Sequence, residues 1–183
     1  PENVQLVAVS KTKPNEMVQE AYDAGQRVFG ENKVQDLAAK APQLPDDIHW
    51  HFIGHMQTNK VKYIAPFVKM IHAVDSLKLL KEINKQAAKN NRVIDCLLQF
   101  HIAEESTKFG LNLNEAEDIL GNSELTDLKN IRITGVMGMA TYTSDMQQVR
   151  SEFKHLTEYM VILKMKFFSN NPYFKEISMG MSG

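Results

Sequence analysis

The segment Leu6-Val7-Ala8-Val9-Ser10-Lys11-Thr12-Lys13-Pro14 is an apolar run that ends abruptly in two lysines and a proline. Four consecutive apolar residues predict a strand covered on both faces, as is typical of a parallel sheet between two layers. Pro14 suits the first position of a helix, because its missing N–H costs nothing there. We therefore expect Lys11 at the carboxyl end of a buried parallel strand, where α/β folds place their chemistry.

The rest of the chain repeats this order of a strand followed by a helix. Further strands are predicted at residues 28–30, 48–54, 68–74, 93–102, 131–139 and 177–181. Six segments between the strands carry apolar residues at helical spacing. In the fifth of these, Asn114 with Glu117 three residues later predicts the start of the helix.

Seven strands alternating with six helices over short connections favour parallel βα units. The sequence contains neither a G-x-G-x-x-G motif after the first strand nor a G-x-x-x-x-G-K-[ST] motif, which argues against dinucleotide or triphosphate binding. We predict an α/β fold of the TIM (β/α)8 barrel type, because seven repeats of about 25 residues lack only one unit of closing. Residues 1–183 are expected to form one domain. It is expected to be truncated at both ends, because the chain opens directly in a strand and stops within a motif.

Composition narrows the class of protein. The net charge is −1 and the lysines are scattered among carboxylates, so nucleic-acid binding is not expected. Cys96 is the only cysteine, so no intramolecular disulfide can form, which is typical of a reducing compartment. The sequence has no apolar run of about 18 residues and no basic-then-apolar leader, so we expect a cytoplasmic protein without membrane contact.

Three groups of residues are candidates for function. The amine of Lys11 is of the kind that forms a Schiff base with an aldehyde, but a lysine at a strand end is also commonly a solvated side chain. Residues 180–183, Gly-Met-Ser-Gly, either cradle a phosphate with their backbone N–H groups or form a flexible turn. His49, His51 and His55 suggest a metal cluster, but no further partner at ligand spacing completes it, so no metal is predicted.

Six ordered motifs carry a family resemblance that extends from near residue 4 to the end of the chain. They are Val7-Ala-Val-Ser-Lys11-Thr-Lys-Pro14, Phe29-Gly-Glu-Asn32 followed by Val34-Gln35, Trp50-His-Phe-Ile-Gly54 followed by Gln57-x-Asn59-Lys60, Lys108-x-Gly110, Gly135-Val-Met-Gly-Met139 and Ser178-Met-Gly-Met-Ser182. Together they resemble the pyridoxal phosphate homeostasis protein family, also called the YggS family.

The resemblance implies a cofactor and a set of residues that hold it. Lys11 would bind pyridoxal 5′-phosphate (PLP) as a Schiff base, inside a barrel similar to the N-terminal domain of alanine racemase. Residues that match motifs lining the cofactor pocket are Asn32, His55 and Met137, and those that match the phosphate side are Ser178, Ser182 and Gly183. By the same resemblance, the given sequence is expected to lack the leading helix and the last unit of the barrel.

The function implied by the resemblance is PLP binding and intracellular PLP homeostasis, without catalytic turnover. The expected partners are PLP and PLP-dependent client enzymes, and the expected state is a monomer. Two enzyme alternatives stay open: an amino-acid racemase, and a barrel enzyme that uses Lys11 as an aldolase-type Schiff-base lysine. A racemase needs a second acid/base group. Tyr142 is the only tyrosine near the carboxyl end of a predicted strand, and a structural role is expected for it.

Overall fold

The structure is a computed structural model that describes residues 3–104 and 109–181. Seven strands and six α-helices alternate along these residues. The strands are β1 (Ala8–Val9), β2 (Val28–Glu31), β3 (His49–Phe52), β4 (Met70–Val74), β5 (Ile94–Phe100), β6 (Ile131–Ala140) and β7 (Glu176–Met181). The helices are α1 (Asn15–Asp23), α2 (Val34–Lys40), α3 (Val61–Ile64), α4 (Leu77–Lys89), α5 (Leu113–Leu120) and α6 (Met146–Phe167). Short 3-10 helices cover Ala41–Gln43, Thr58–Lys60 and Ser123–Asp127.

All neighbouring strands pair in parallel, and their order in the sheet is the order in the chain, from β1 to β7. A contact between His72 of β4 and Ser178 of β7, which have two strands between them, shows that the sheet curls strongly. Side chains from distant strands meet in this way inside a barrel. The predicted barrel-type fold, with seven parallel strands alternating with six helices, is thus confirmed.

The main core lies between the sheet and the helices. Alternate strand residues face the helices there, among them the fully buried Phe29, Phe52 and Phe100. The helices contribute Leu37 and Ile83, which are also fully buried. The other face of the sheet carries more polar side chains, and these form the candidate site described below. No helix among the described residues is both long and apolar enough to cross a membrane.

The prediction of a buried first strand is wrong. β1 is two residues long, Leu6 before it is 72% exposed, and Val9 within it is 48% exposed. The reason is the position of β1 in the sheet, since among the described residues it pairs with β2 alone and no strand lies along its other edge. Four apolar residues in a row indicate a strand, but they do not report how many neighbours that strand has.

Helix boundaries follow local sequence signals, with shifts of one or two residues. Pro14 is the N-cap of α1 and not its first helical residue, and Gly25 adopts a φ of +103° just after the end of α1. Asn112 caps α5 by accepting a hydrogen bond from the Glu115 N–H, and the Glu115 carboxylate accepts one from the Asn112 N–H. The helix therefore begins two residues before the predicted start, at a pair with the same three-residue spacing.

Candidate functional site

The backbone that leads into Lys11 is held by hydrogen bonds of its neighbour Ser10. The Ser10 N–H donates to the Gly30 carbonyl at 3.0 Å, and the Ser10 carbonyl accepts from the Lys13 N–H at 3.1 Å. Thr12, at the tip of this turn, has a φ of +63°, which is uncommon for a β-branched residue. Lys11 itself is half-buried. The turn thus fixes Lys11 directly after β1, at the carboxyl end of the strand as predicted.

A buried ion pair supports this turn from the helix side of the sheet. The Lys40 ammonium lies 2.5 Å from Glu31 Oε1 and also donates to the Ser10 carbonyl at 2.8 Å. The Ser10 hydroxyl donates to the same Glu31 oxygen at 2.7 Å. The Glu31 side chain is fully buried, and its Oε2 has no hydrogen-bond partner among the described residues. The carboxylate therefore ties the ends of β1 and β2 to α2.

Asn32, which follows β2, is half-buried, and its backbone packs against Gly54 after β3. A Cβ atom on Gly54 would lie only 2.2 Å from the Asn32 carbonyl oxygen. Relieving such a contact would require the backbone itself to move. The glycine of the Trp-His-Phe-Ile-Gly motif therefore lets the carboxyl ends of β2 and β3 approach closely.

His55 lies on the surface beyond β3, where it forms a ring pair with Phe109. The two rings are nearly parallel, at 17°, with their centroids 4.1 Å apart. The His55 Nδ1 is 3.9 Å from a carboxylate oxygen of Asp75, which follows β4. The loops after β3, β4 and β5 thus meet at His55, and the His55 and Phe109 rings are partly open to solvent.

Ser178 of β7 ends a hydrogen-bonded chain that the sequence did not reveal. The Ser178 Oγ lies 2.9 Å from Nδ1 of His72, and Nε2 of His72 lies 2.8 Å from Nδ1 of His51. Both histidines are buried, at 3% and 5% exposure. The sequence groups His51 with His49 and His55 as candidate metal ligands. Its partner is His72 instead, and no group of three or more metal-binding side chains occurs among residues 3–104 and 109–181.

Burial sets the charge of this histidine pair. It lowers the pKa of His51 to about 4, against a smaller opposing effect of Asp95, and that of His72 to about 3. Both rings are therefore neutral at physiological pH. His72 was missed because it lies in an otherwise apolar strand, Met70–Val74. The only available signal was one polar residue in a buried strand, and this seldom indicates function.

Met137 is buried in β6, between Gln99 of β5 and Ser178 of β7 in the register of the sheet. The Gln99 amide is also buried, and its Oε1 has no hydrogen-bond partner among the described residues. Gln99 alternates with Leu98, which belongs to the core under the helices, so Gln99 faces the inside of the curled sheet. Ser182 and Gly183, predicted for the phosphate side, lie outside the described residues.

Glu152 on α6 holds two of the loops around this end of the sheet. Its carboxylate accepts hydrogen bonds from the Thr141 N–H and hydroxyl, each at 2.6 Å, and from the Glu104 N–H at 3.4 Å. Burial acts to raise the pKa of Glu152, but these hydrogen bonds, with one from Gln148, hold it below its ordinary value. The loops after β5 and β6 are thus fastened to one buried anion.

Comparison with known proteins first defines the class of domain. The model of the family described as alanine racemase, N-terminal domain, matches residues 1–183. The alanine racemase of Clostridium difficile 630 superposes with a TM-score of 0.70 at 13% identity, over 100% of this chain and 49% of that one. This likeness shows the fold. The chain is a barrel-type domain similar to the one that begins alanine racemases.

Closer relatives then identify the family. The chain is 39% identical over 180 residues to the pyridoxal phosphate homeostasis protein of Aquifex aeolicus, spanning 97% of this chain and 76% of that protein. It is 31% identical over 186 residues to that of Escherichia coli K12, spanning 100% and 77%. PipY of Synechococcus elongatus PCC7942, solved without PLP, superposes with a TM-score of 0.90 at 33% identity. The structure of PipY with PLP bound superposes with a TM-score of 0.87 at 32% identity. Both comparisons cover 100% of this chain and 84% of PipY. The chain belongs to the pyridoxal phosphate homeostasis protein family, as the six motifs predicted.

Proposed function

We propose that this protein binds PLP, holds it as a Schiff base on Lys11 and takes part in intracellular PLP homeostasis. The observation that carries the proposal is the turn at Lys11. It holds Lys11, a half-buried residue, at the carboxyl ends of the strands, in a chain similar over its whole length to PipY, which has been solved with PLP bound. In the binding step the Lys11 nitrogen bonds to the aldehyde carbon and one water molecule leaves.

The described side chains fit this cofactor chemically. PLP supplies, when bound, an aldehyde and an electron-accepting ring. Lys11 supplies the amine, Ser178 a hydroxyl inside the sheet, and Gln99 a buried amide whose oxygen has no partner within the described part of the chain. A Cβ at Gly180 of β7 would lie 2.5 Å from the Met139 sulfur, so a side chain there would require the Met139 side chain to move.

We assign the remaining pocket residues by the same proposal. Asn32 and Met137 would line the pocket from β2 and β6, and His55 would cover it from the loop after β3. Ser182 and Gly183 would hold the phosphate with Ser178. These roles rest on the family motifs and on the places of Asn32 after β2, His55 after β3 and Met137 in β6.

The proposed role is binding and delivery of PLP to client enzymes, without turnover. Racemisation needs a second acid/base group beside the lysine. Tyr142, the only tyrosine expected near a strand end, is 72% exposed.

The proposal includes a monomeric state and a cytoplasmic location. The location is in keeping with the single cysteine, Cys96, which is buried. Light scattering coupled to size-exclusion chromatography tests the monomeric state.

The test of the proposed function is chemical trapping. PLP is added to the purified protein, unbound PLP is removed, and borohydride reduction is followed by peptide mass spectrometry. We expect a near-ultraviolet to visible absorbance band and a reduced adduct on the peptide that contains Lys11. Lys11→Ala abolishes both, whereas Lys13→Ala, two residues along the same turn, keeps them.

Two results would contradict the proposal. A Lys11→Ala protein that retains the band and the adduct would refute the assignment of the lysine. Exchange of the α-proton of an amino acid with solvent deuterium, at a rate well above that of free PLP, would refute the role without turnover.

A further inference from the structure

The two buried histidines connect to Ser178 in a way that leaves few options for their protons. A neutral imidazole has one N–H donor and one acceptor nitrogen. His72 uses both nitrogens, Nδ1 toward Ser178 at 2.9 Å and Nε2 toward His51 at 2.8 Å. A doubly protonated His72 would donate at both ends, but a ring that is only 3% exposed disfavours the charged form.

Two arrangements of hydrogen bonds satisfy this chain. In the first, the Ser178 hydroxyl donates to His72 Nδ1, and His72 Nε2–H donates to His51 Nδ1. In the second, His51 Nδ1–H donates to His72 Nε2, and His72 Nδ1–H donates to the Ser178 Oγ. The choice at one end fixes the other, so both rings change tautomer together.

The arrangements differ in what Ser178 offers to a ligand. In the first, the hydroxyl hydrogen is committed to His72, its one hydrogen-bond partner among the described residues. In the second, His72 supplies the hydrogen to the serine oxygen, and the hydroxyl is left to donate elsewhere. Ser178 is half-buried while both histidines are buried, so it is the end of the chain that a ligand reaches.

We propose that His51 and His72 form a tautomer relay that converts Ser178 into a hydrogen-bond donor when PLP binds inside the curled sheet. The relay rests on the proposed function, since PLP is the ligand that carries the acceptor atom. No net proton is taken up or released. The Ser178 hydroxyl hydrogen passes to His72 Nδ1 and the His72 Nε2 hydrogen passes to His51 Nδ1. The His51 Nε2 hydrogen leaves to water, and water returns one hydrogen to the Ser178 oxygen. His51 and His72 are positioning residues, and Ser178 is the group that touches the ligand.

The direct test is the tautomeric state of the histidines in the whole protein. Long-range ¹H–¹⁵N correlation spectra of ¹⁵N-histidine-labelled protein distinguish Nδ1–H from Nε2–H rings, and His51→Gln and His72→Gln assign the signals. We expect both rings in the Nε2–H form without PLP and in the Nδ1–H form at saturation with PLP. Pyridoxal and inorganic phosphate are added separately. The fragment that reproduces the change carries the acceptor that Ser178 reaches.

A serine variant separates the relay from simple packing. Ser178→Ala is expected to weaken PLP binding about 2- to 10-fold, as one lost hydrogen bond does, and to abolish the coupled tautomer change. Ser151→Ala, at an exposed position on α6, changes neither. A packing role alone would alter affinity without moving the nitrogen signals.

The possible failures are distinguishable. If absorbance shows PLP bound and the tautomers do not change, or if they change equally in Ser178→Ala, the relay is refuted and the proposed function stands. If no PLP binds to the wild-type protein, the proposed function fails and the relay falls with it.

Discussion

Replacing Lys40 by methionine tests how strongly the Glu31 carboxylate depends on its cation. The carboxylate is fully buried, one of its oxygens has no partner among the described residues, and the Lys40 ammonium 2.5 Å away is its only ion-pair partner there. Removing one partner of a buried ion pair costs about 3–5 kcal/mol, because the remaining charge stays buried without compensation. Domains are typically stable by about 5–15 kcal/mol, so Lys40→Met should remove a large share of the free energy of unfolding.

Urea unfolding measured by the fluorescence of Trp50 provides the assay, because Trp50 is the only tryptophan and is 97% buried. The control is Lys166→Met, which breaks an ion pair of 2.7 Å with Glu117 whose lysine is 55% exposed. A pair in that position is worth at most about 1 kcal/mol. Adding Glu31→Gln to Lys40→Met removes the stranded charge and should recover part of the loss. Equal effects of Lys40→Met and Lys166→Met would refute this reasoning.

Two further predictions concern buried titratable groups. Because the pKa of His51 is lowered to about 4 and that of His72 to about 3, the unfolded chain binds their protons at higher pH. The free energy of unfolding is therefore greatest above about pH 6.5 and falls as pH decreases, by about 2 kcal/mol per histidine between pH 7 and pH 5. His72→Leu should reduce this dependence by about 2 kcal/mol in urea unfolding at the two pH values, and the exposed control His155→Leu should not. An undiminished dependence in His72→Leu would contradict the assignment. Glu152→Gln should lower the free energy of unfolding by about 1–3 kcal/mol, because an amide cannot accept all of the hydrogen bonds that the buried carboxylate accepts. The control is Glu158→Gln, on the exposed face of the same helix, which should change the free energy of unfolding by less than about 0.5 kcal/mol. Similar changes in the free energy of unfolding for these two variants would show that the Glu152 hydrogen bonds contribute little to stability.

The repeated strand-helix unit of the fold could be predicted from the sequence, because the patterns that indicate a strand or a helix are local. Apolar runs and helical spacing located seven strands and six helices, and the short connections indicated parallel pairing. Boundaries differed by a few residues, as at the start of α5, where Asn112 rather than Asn114 caps the helix. The exposure of Val9 could not be read in this way, because burial depends on the neighbours of a strand in the sheet.

Lys11 was identified by its place at the end of an apolar run and by the motif around it, and both are properties of adjacent residues. The side chains around it were decided by tertiary structure. Glu31 and Lys40 meet because β2 and α2 pack together, and His72 meets Ser178, 106 residues away, because the sheet curls. Sequence determined which units form and which lysine is placed at a strand end. Only the curvature and register of the sheet decided which polar groups lie within hydrogen-bond distance, because these depend on all seven strands together.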